Sequence, residues 1–241
     1  MDMTQITPDE TILLQWGFVR INVTLVSTWL VMALLIALSW ALTRHLSTGA
    51  QVSRSQAFLE TAMDFVLDQV RESTREPSRL LVPFVATLFL FIATANLLTI
   101  VPGYVPATAS LSTTAALAIV VFFAVPAFGV AHQGAGGYLR RYVRPTPVML
   151  PFHLIGEFSR TLALAVRLFG NVMSGTKIVG ILLAITPFFF PIVMRVLGLI
   201  TGLIQAYIFA VLALVYIASG MQVQARGRTT QDGPSEEDQD E

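Results

Sequence analysis

The sequence has no cysteine and few charged residues. Asp, Glu, Lys and Arg make up only 12% of its 241 residues, about half the share in an average soluble domain. Without cysteine, a disulfide scaffold, a thiol enzyme and a cysteine-ligated zinc or iron–sulfur site are all excluded. The 15 basic residues equal the 15 acidic ones. Because a nucleic-acid-binding protein needs a basic surplus, this balance argues against nucleic acid as a partner.

Long uncharged runs are abundant instead, and 54% of the residues are hydrophobic. One crossing of a bilayer core needs about 20 apolar residues in a helix. The uncharged run 21–43 therefore predicts one crossing, and 80–131 predicts two, separated at Pro102-Gly103. A further hairpin is predicted in 148–219, where Pro187 and Pro191 interrupt the apolar pattern. We predict an all-α integral membrane protein with five crossings, at about 21–43, 80–101, 111–131, 148–186 and 191–219.

The basic residues of the connections predict an orientation. They occur in 44–79, in 132–147 and directly after the last crossing, and five crossings place these three segments on one side. Basic connections face the cytoplasm. We therefore expect the N-terminal segment 1–20 outside and the C-terminus in the cytoplasm.

Two segments are not predicted to cross. Residues 52–72 carry an apolar face at helical spacing, which predicts an amphipathic helix at the membrane surface or against a partner. A solvated connector with a helical pattern is the alternative. The segment 221–241 is polar and ends in an acidic run, so we expect a disordered cytoplasmic tail.

The fourth crossing carries a polar stripe. Its members advance by three or four residues and therefore lie on one side of a helix. They are His153, Glu157, Arg160, Leu164, Arg167, Asn171 and Ser174. The other side, which includes Leu162 and Val166, is apolar. A passive anchor does not need such a stripe.

Most charged residues of this region can also be explained without a functional role. Glu157 and Arg160 can form a local ion pair, and His153 can face the lipid headgroups near the helix start. Lys177 and Arg195 lie near the outer turn, where long side chains can reach water.

Arg167 cannot be explained in this way. It lies ten residues from Glu157 and about twenty from Pro187, which is too deep for its guanidinium to reach water along the helix. An arginine at this depth costs about 2.5–3.5 kcal/mol even on the lenient insertion scale, so it needs a partner or a water-filled cavity. A functional role for Arg167 is the sharpest inference from the residues.

Several motifs resemble subunit a of F-type rotary ATP synthases. Ser159–Gly175, with its core Arg-Leu-Phe-Gly-Asn, resembles the arginine-bearing helix of that family. Asn96–Gly103 with Pro106–Leu111 resembles its second hairpin, and Leu203–Phe209 with Val215–Ile217 resembles its last helix. The resemblance covers roughly residues 20–220. The segments at Pro8 and at 22–29 are closer to the N-type bacterial branch.

The resemblance implies a stator in the bacterial inner membrane, not an enzyme by itself and without a cofactor. Its partners would be the ring of subunit c, the peripheral-stalk subunit b, the rest of the complex and membrane lipid. Two offset half-channels would carry H⁺ or Na⁺ to and from the ring carboxyls. The last two helices would be long and strongly tilted. Arg167 would be the fixed cation that drives ion release and blocks leakage.

The resemblance also assigns path-lining residues. Asn171 and Gln205 match the polar neighbours of the arginine, and Ser174 continues the same stripe. His153 stands at a position often held by Glu in the inner half-channel, with Glu157 one turn later. We expect these two to line the cytoplasmic half.

The outer half departs from the family pattern. Many relatives have an ionisable pair at the positions of Thr176 and Gly198, and an acid at the position of Thr99. Either hydroxyls and water line the outer path here, or Lys177 and Arg195 replace the usual groups.

Other classes remain as alternatives. A small secondary ion or solute transporter can also use a polar stripe, but no internal repeat of the usual kind is visible. An intramembrane enzyme needs a nucleophile or metal ligands, and the sequence has no HExxH or GxSxG motif. A structural anchor would not place Arg167 so deep.

Overall fold

The computed structural model describes the chain in segments. They are residues 12–16, 19–44, 61, 64, 67–69, 71, 81–101, 103–134, 136, 149–186 and 189–221. Five long helices lie within them: α1 Val23–Thr43, α2 Leu81–Leu97, α3 Leu111–Gln133, α4 Met149–Ile185 and α5 Phe190–Met221. All five contain a stretch that is long and apolar enough to cross a membrane. The predicted fold class, a helical membrane protein with five crossings, is confirmed.

A small β-hairpin precedes the first helix, and the sequence pattern did not predict it. Strand β1 (Ile12–Trp16) pairs antiparallel with β2 (Val19–Asn22). The predicted first crossing began near residue 21, but residues 21 and 22 belong to β2. Helix α1 therefore begins two residues later than expected. Among the described residues, this hairpin is the β-structure, whereas the sequence predicted helices alone.

The connection between α2 and α3 is folded into the bundle. A 3-10 turn at Leu98–Ile100 ends α2, and Gly103 adopts a positive φ of 86° in the bend that follows. A second 3-10 turn, Ala107–Ala109, is buried and contacts α1, α2, α3 and α4. Ser110 then caps α3 by accepting a hydrogen bond from the Thr113 amide. We call the side of the bundle that holds this connection the connection end.

Helix α5 is the centre of the bundle, because it packs against α2, α3 and α4. One apolar cluster joins α2 and α3 to the last turns of α5, around Leu81, Val125 and Leu214. A second cluster includes α4 as well, with Leu168 packed near Phe209. These contacts fix the position of α4 relative to the other helices.

A buried asparagine joins α2, the connection and α5. The Asn96 side-chain amide donates to the Gly202 carbonyl oxygen at 2.8 Å, and the Thr108 hydroxyl donates to the Asn96 amide oxygen at 3.1 Å. Glycine at 202 permits this close approach, because an added Cβ would lie 3.1 Å from Asn96 side-chain atoms. The junction sets the height of α5 relative to α2.

The hairpin of α4 and α5 extends past this junction. Helix α2 ends at Leu97, next to Asn96, whereas α5 runs from Phe190 to Gly202 before it reaches the same level. That stretch is about 18 Å of helix at 1.5 Å per residue. A hairpin of this length fits a bilayer core of about 30 Å by tilting. The strong tilt of α4 and α5 stays a prediction.

Most of the predicted amphipathic helix 52–72, and the predicted tail after 221, lie outside the described residues. Residues 61, 64, 67–69 and 71 are helical. Leu67 packs against the apolar cluster of α2, α3 and α5, and the Tyr207 hydroxyl donates to the Gln69 side-chain oxygen. The described part of this segment therefore lies against the helical bundle.

Replacing Gly202 with alanine should destabilise the protein. The new methyl group would press on the Asn96 side chain at 3.1 Å, and overpacking of this kind typically costs about 1–3 kcal/mol. Thermal unfolding of the detergent-solubilised protein measures the loss.

Gly198→Ala is the matched control, since nothing lies within 4 Å of a Cβ added there. Alanine is also the better helix former, by about 1 kcal/mol. Equal unfolding temperatures for the two variants would contradict the proposed close approach of α2 and α5.

Candidate functional site

Arg167 lies on an open face of α4. Its side chain is exposed, while Leu164, Ala165 and Leu168 around it are buried in the bundle. Only 6% of the apolar window of α4 is buried, compared with 33% for that of α5. Helix α4 therefore packs through one narrow face and leaves the guanidinium outside it.

The predicted stripe follows the edge of this packed face. Leu164 is fully buried, Glu157 and Asn171 are half-buried, and Arg160 and Ser174 are exposed. The sequence spacing correctly put these residues on one side of the helix. It did not show that the boundary between packed and open surface runs through the stripe.

His153 also belongs to α4, but its side chain is outside the part that the structure describes. Its predicted place near Glu157, one turn further along the helix, therefore stays a prediction.

Two contacts fix how α4 and α5 are aligned. The Asn171 side-chain amide donates to the Thr201 carbonyl oxygen at 3.3 Å. Near the other end of the pair, the Arg160 guanidinium carbon lies 5.4 Å from the centre of the Tyr216 ring.

Arg167 lies between Asn171 and Arg160 on α4, and Gln205 lies between Thr201 and Tyr216 on the antiparallel α5. Arg167 and Gln205 are therefore at the same level of the helix pair. Gln205 is on the buried side, with 7% of its surface exposed.

Arg160 does not form the local ion pair that the sequence allowed. In the part of the chain that the structure describes, no ion pair within 4 Å joins Glu157 to Arg160, whereas Arg71 and Asp68 approach to 3.7 Å. The Arg160 guanidinium lies over Tyr216 instead, where the ring face attracts a cation. The sequence could not indicate this contact, because it depends on the alignment of α4 with α5.

The predicted residues beyond Asn171 are not gathered around Arg167. The Ser174 hydroxyl donates to the Asn171 carbonyl oxygen at 3.1 Å, and the Thr176 hydroxyl donates to the Val172 carbonyl oxygen at 2.9 Å. Lys177 is half-buried in the next turn. Following the direction of α4, these three lie on the hairpin side of Arg167. In the described segments, no group of His, Asp and Glu residues is placed to hold a metal ion.

Buried polar side chains collect at the connection end, and the sequence analysis did not single them out. They come from the first turns of α1, the last turn of α2, the connection and the first turn of α3. We name them the connection-end cluster: Thr24, Ser27, Asn96, Thr108, Ser110 and Thr114. With Gln205, they are the buried polar or charged side chains of the described residues, and none carries a charge. One signal was available, because Thr24, Ser27 and Val31 have the spacing of one helix face.

Three buried polar atoms in the described segments have no hydrogen-bond partner. They are the side-chain oxygen of Asn22, the hydroxyl of Tyr104 and the side-chain nitrogen of Gln205. An unsatisfied buried group costs about 1–3 kcal/mol. Burial also raises the pKa of the Tyr104 phenol above its ordinary value of 10.0, so this side chain is neutral at physiological pH.

A family of known proteins matches the region of the chain that contains the five helices. Residues 25–218 match the model of the family described as ATP synthase A chain. The match thus covers α2, α3 and α4 completely and nearly all of α1 and α5.

Similar proteins are found along almost the whole chain. ATP synthase subunit a 2 of Acaryochloris marina is 57% identical over 93% of this chain and 96% of its own length. Subunit a of Albidiferax ferrireducens is 56% identical over 96% and 99%, and subunit a 1 of Chlorobaculum parvum is 54% identical over 92% and 98%. With the five helices and the arginine-bearing α4, these matches show that the chain belongs to the ATP synthase A chain family.

Proposed function

We propose that this chain is the stator subunit a of a rotary ATP synthase. It would provide two half-channels that carry H⁺ or Na⁺ to and from the carboxyl groups of a rotating subunit c ring. Ion flow through them turns the ring, and the ring drives ATP synthesis in the soluble head. The family match supports this role, and because it spans nearly all of the helical region the transporter alternative is not favoured.

The exposed position of Arg167 carries the proposal. The open face of α4 would otherwise meet lipid, where an arginine costs about 2.5–3.5 kcal/mol or more. A ring of carboxyl-bearing helices covers this face and supplies the opposite charge. The flank that contains Arg167 is therefore the proposed contact with the c-ring.

The guanidinium suits a fixed charge. Arginine is not deprotonated in proteins, so it does not pass a proton along. A carboxylate about 4 Å away is stabilised by about 4 kcal/mol at an effective dielectric constant near 20. This lowers the pKa of a ring carboxyl that arrives at Arg167, and the carboxyl releases its ion. The same charge repels a cation that would pass directly between the half-channels.

The remaining residues divide around Arg167. Asn171 and Gln205, which cannot titrate, would hold the guanidinium or water beside it. Glu157 and His153 would line the cytoplasmic half. On the other half, Ser174, Thr176 and Lys177 follow Arg167 along α4 and would face the outer side.

The proposed setting follows from the charges of the connections. The basic connections favour a cytoplasmic C-terminus and an external N-terminus in the bacterial inner membrane. The peripheral-stalk subunit b would hold the chain still against the turning ring, and membrane lipid would surround the faces that neither partner covers. Each ion that crosses supplies about 2.3 kcal/mol per 100 mV of membrane potential.

Arg167→Ala should abolish ATP-driven acidification of inverted membrane vesicles while the complex still assembles. Without the fixed cation, a ring carboxyl no longer releases its ion at the stator. Fluorescence quenching of a pH-sensitive dye measures pumping, and ATP hydrolysis by the same vesicles reports assembly.

Arg160→Gln is the matched control, since it removes the same charge from the same helix two turns away. It should leave pumping clearly above that of Arg167→Ala, because the Arg160 guanidinium lies over Tyr216. Full pumping by Arg167→Ala would contradict the stator function.

Glu157→Gln should slow pumping by about 100-fold, at the lower end of the usual contribution of a positioned acid–base group. Glu157→Asp keeps the carboxyl and should retain most of the rate. The initial rate of acidification in assembled complexes decides between them. If Glu157→Ala and Glu157→Gln both pump at the wild-type rate, Glu157 does not line the cytoplasmic half.

A further inference from the structure

We propose that the hydrogen bond between Tyr207 and Gln69 holds Gln205 at its place in the ion path. Tyr207 belongs to α5, and Gln69 belongs to the helical residues 67–69 in the segment between α1 and α2. Neither side chain lines the path in this role. Both are positioning residues, which act on the path through the backbone of α5. The inference rests on the proposed function and adds a contact on which its geometry depends.

Polar contacts hold α5 from different directions within about two turns. The Thr201 carbonyl oxygen accepts from an asparagine of α4, and the Gly202 carbonyl oxygen accepts from an asparagine of α2. The Tyr207 hydroxyl donates to the Gln69 side-chain oxygen. Successive residues are about 100° apart around a helix axis, so positions 202 and 207 lie about 100° and about 240° from position 201. The contacts of Thr201 and Tyr207 therefore lie at the two edges of the packed side of α5.

The place of Gln205 depends on how α5 is rotated about its axis. Gln205 lies about 40° from position 201, between the contacts with α4 and α2, and it is buried. Among the described residues, its side-chain nitrogen has no hydrogen-bond partner, so no bond of its own fixes this atom. A rotation of α5 in either direction strains the contact at one edge. The apolar contacts between the edges are non-directional, so the hydrogen bonds set the rotation.

Fastening the segment between α1 and α2 to the bundle would be a simpler role for the same contact. Leu67 already fastens it, because its side chain packs against the apolar cluster that contains Leu214 of α5. The bond of Gln69 is different, since it has a direction and reaches α5 two residues after Gln205. Its position therefore fits the control of Gln205 better than docking alone.

Tyr207→Phe and Gln69→Leu each remove one partner of the hydrogen bond. In inverted membrane vesicles, acidification per ATP hydrolysed should fall about fivefold in either variant, the factor that corresponds to one hydrogen bond of about 1 kcal/mol. A displaced Gln205 lets the ring pass the stator without exchanging its ion. The ratio does not depend on the amount of assembled complex, so a loss of stability alone leaves it unchanged. The double variant should match the single variants, because both changes remove the same bond.

Two further variants serve as controls. Gln69→Glu keeps an oxygen that accepts from the Tyr207 hydroxyl and should retain most of the ratio. Ser219→Ala removes another hydroxyl of α5, which donates to the Tyr216 carbonyl oxygen of the same helix. It should behave like the wild type, because that bond does not join α5 to another element.

An unchanged ratio in either single variant, a further loss in the double variant, or an equal loss in Ser219→Ala overturns the proposal. Arg167→Ala, assayed in parallel, separates this failure from failure of the proposed function. Loss of pumping in that variant keeps the stator role even when Tyr207→Phe pumps normally, whereas normal pumping by Arg167→Ala contradicts the stator role itself.

Discussion

Helices α4 and α5 pack as an antiparallel pair, and two polar contacts on either side of an apolar stretch fix their alignment. Asn171 binds the backbone of Thr201, and Arg160 lies over Tyr216. Between these contacts, side chains such as Leu168 and Phe209 are packed in a common cluster. This pairing puts Arg167 and Gln205 at one level, and the proposed role of the two side chains depends on it. The pair is in turn held at a defined height by the bond from Asn96 to Gly202.

Neutral and charged polar side chains occupy different parts of the bundle. Neutral hydroxyls and amides are buried at the connection end, where hydrogen bonds offset the loss of water. The charged side chains Arg160 and Arg167 stay on the open edge of α4, where a partner or water can reach them. In the proposed mechanism, the Glu157 side of α4 and the side that holds Ser174 and Thr176 line separate half-channels. Arg167 stands between them and forces the ion to travel on the rotor.

The sequence was sufficient for the five helices, because long apolar runs and Pro/Gly breaks determine where helices cross. It also made Arg167 the leading candidate for a functional residue, since the depth of an arginine in an apolar helix follows from its distance to the helix ends. It could not show that Leu164 is buried while Arg167 is open, because a spacing of three and four defines a face but not its neighbour. The contact of Arg160 with Tyr216 and the connection-end cluster, with Thr24 and Thr108, depend on packing between distant segments.

Cross-linking to the ring tests most directly the claim that the Arg167 flank of α4 faces the rotor. Ala163 is exposed one turn before Arg167, whereas Ala165 is buried in the bundle. Each would be replaced by cysteine and paired with a cysteine beside the carboxyl of subunit c. A disulfide forms only when the two Cα atoms come within about 7 Å. If this flank faces the ring, Ala163→Cys forms the disulfide and Ala165→Cys does not. Cross-linking through Ala165→Cys, or through neither, would contradict it.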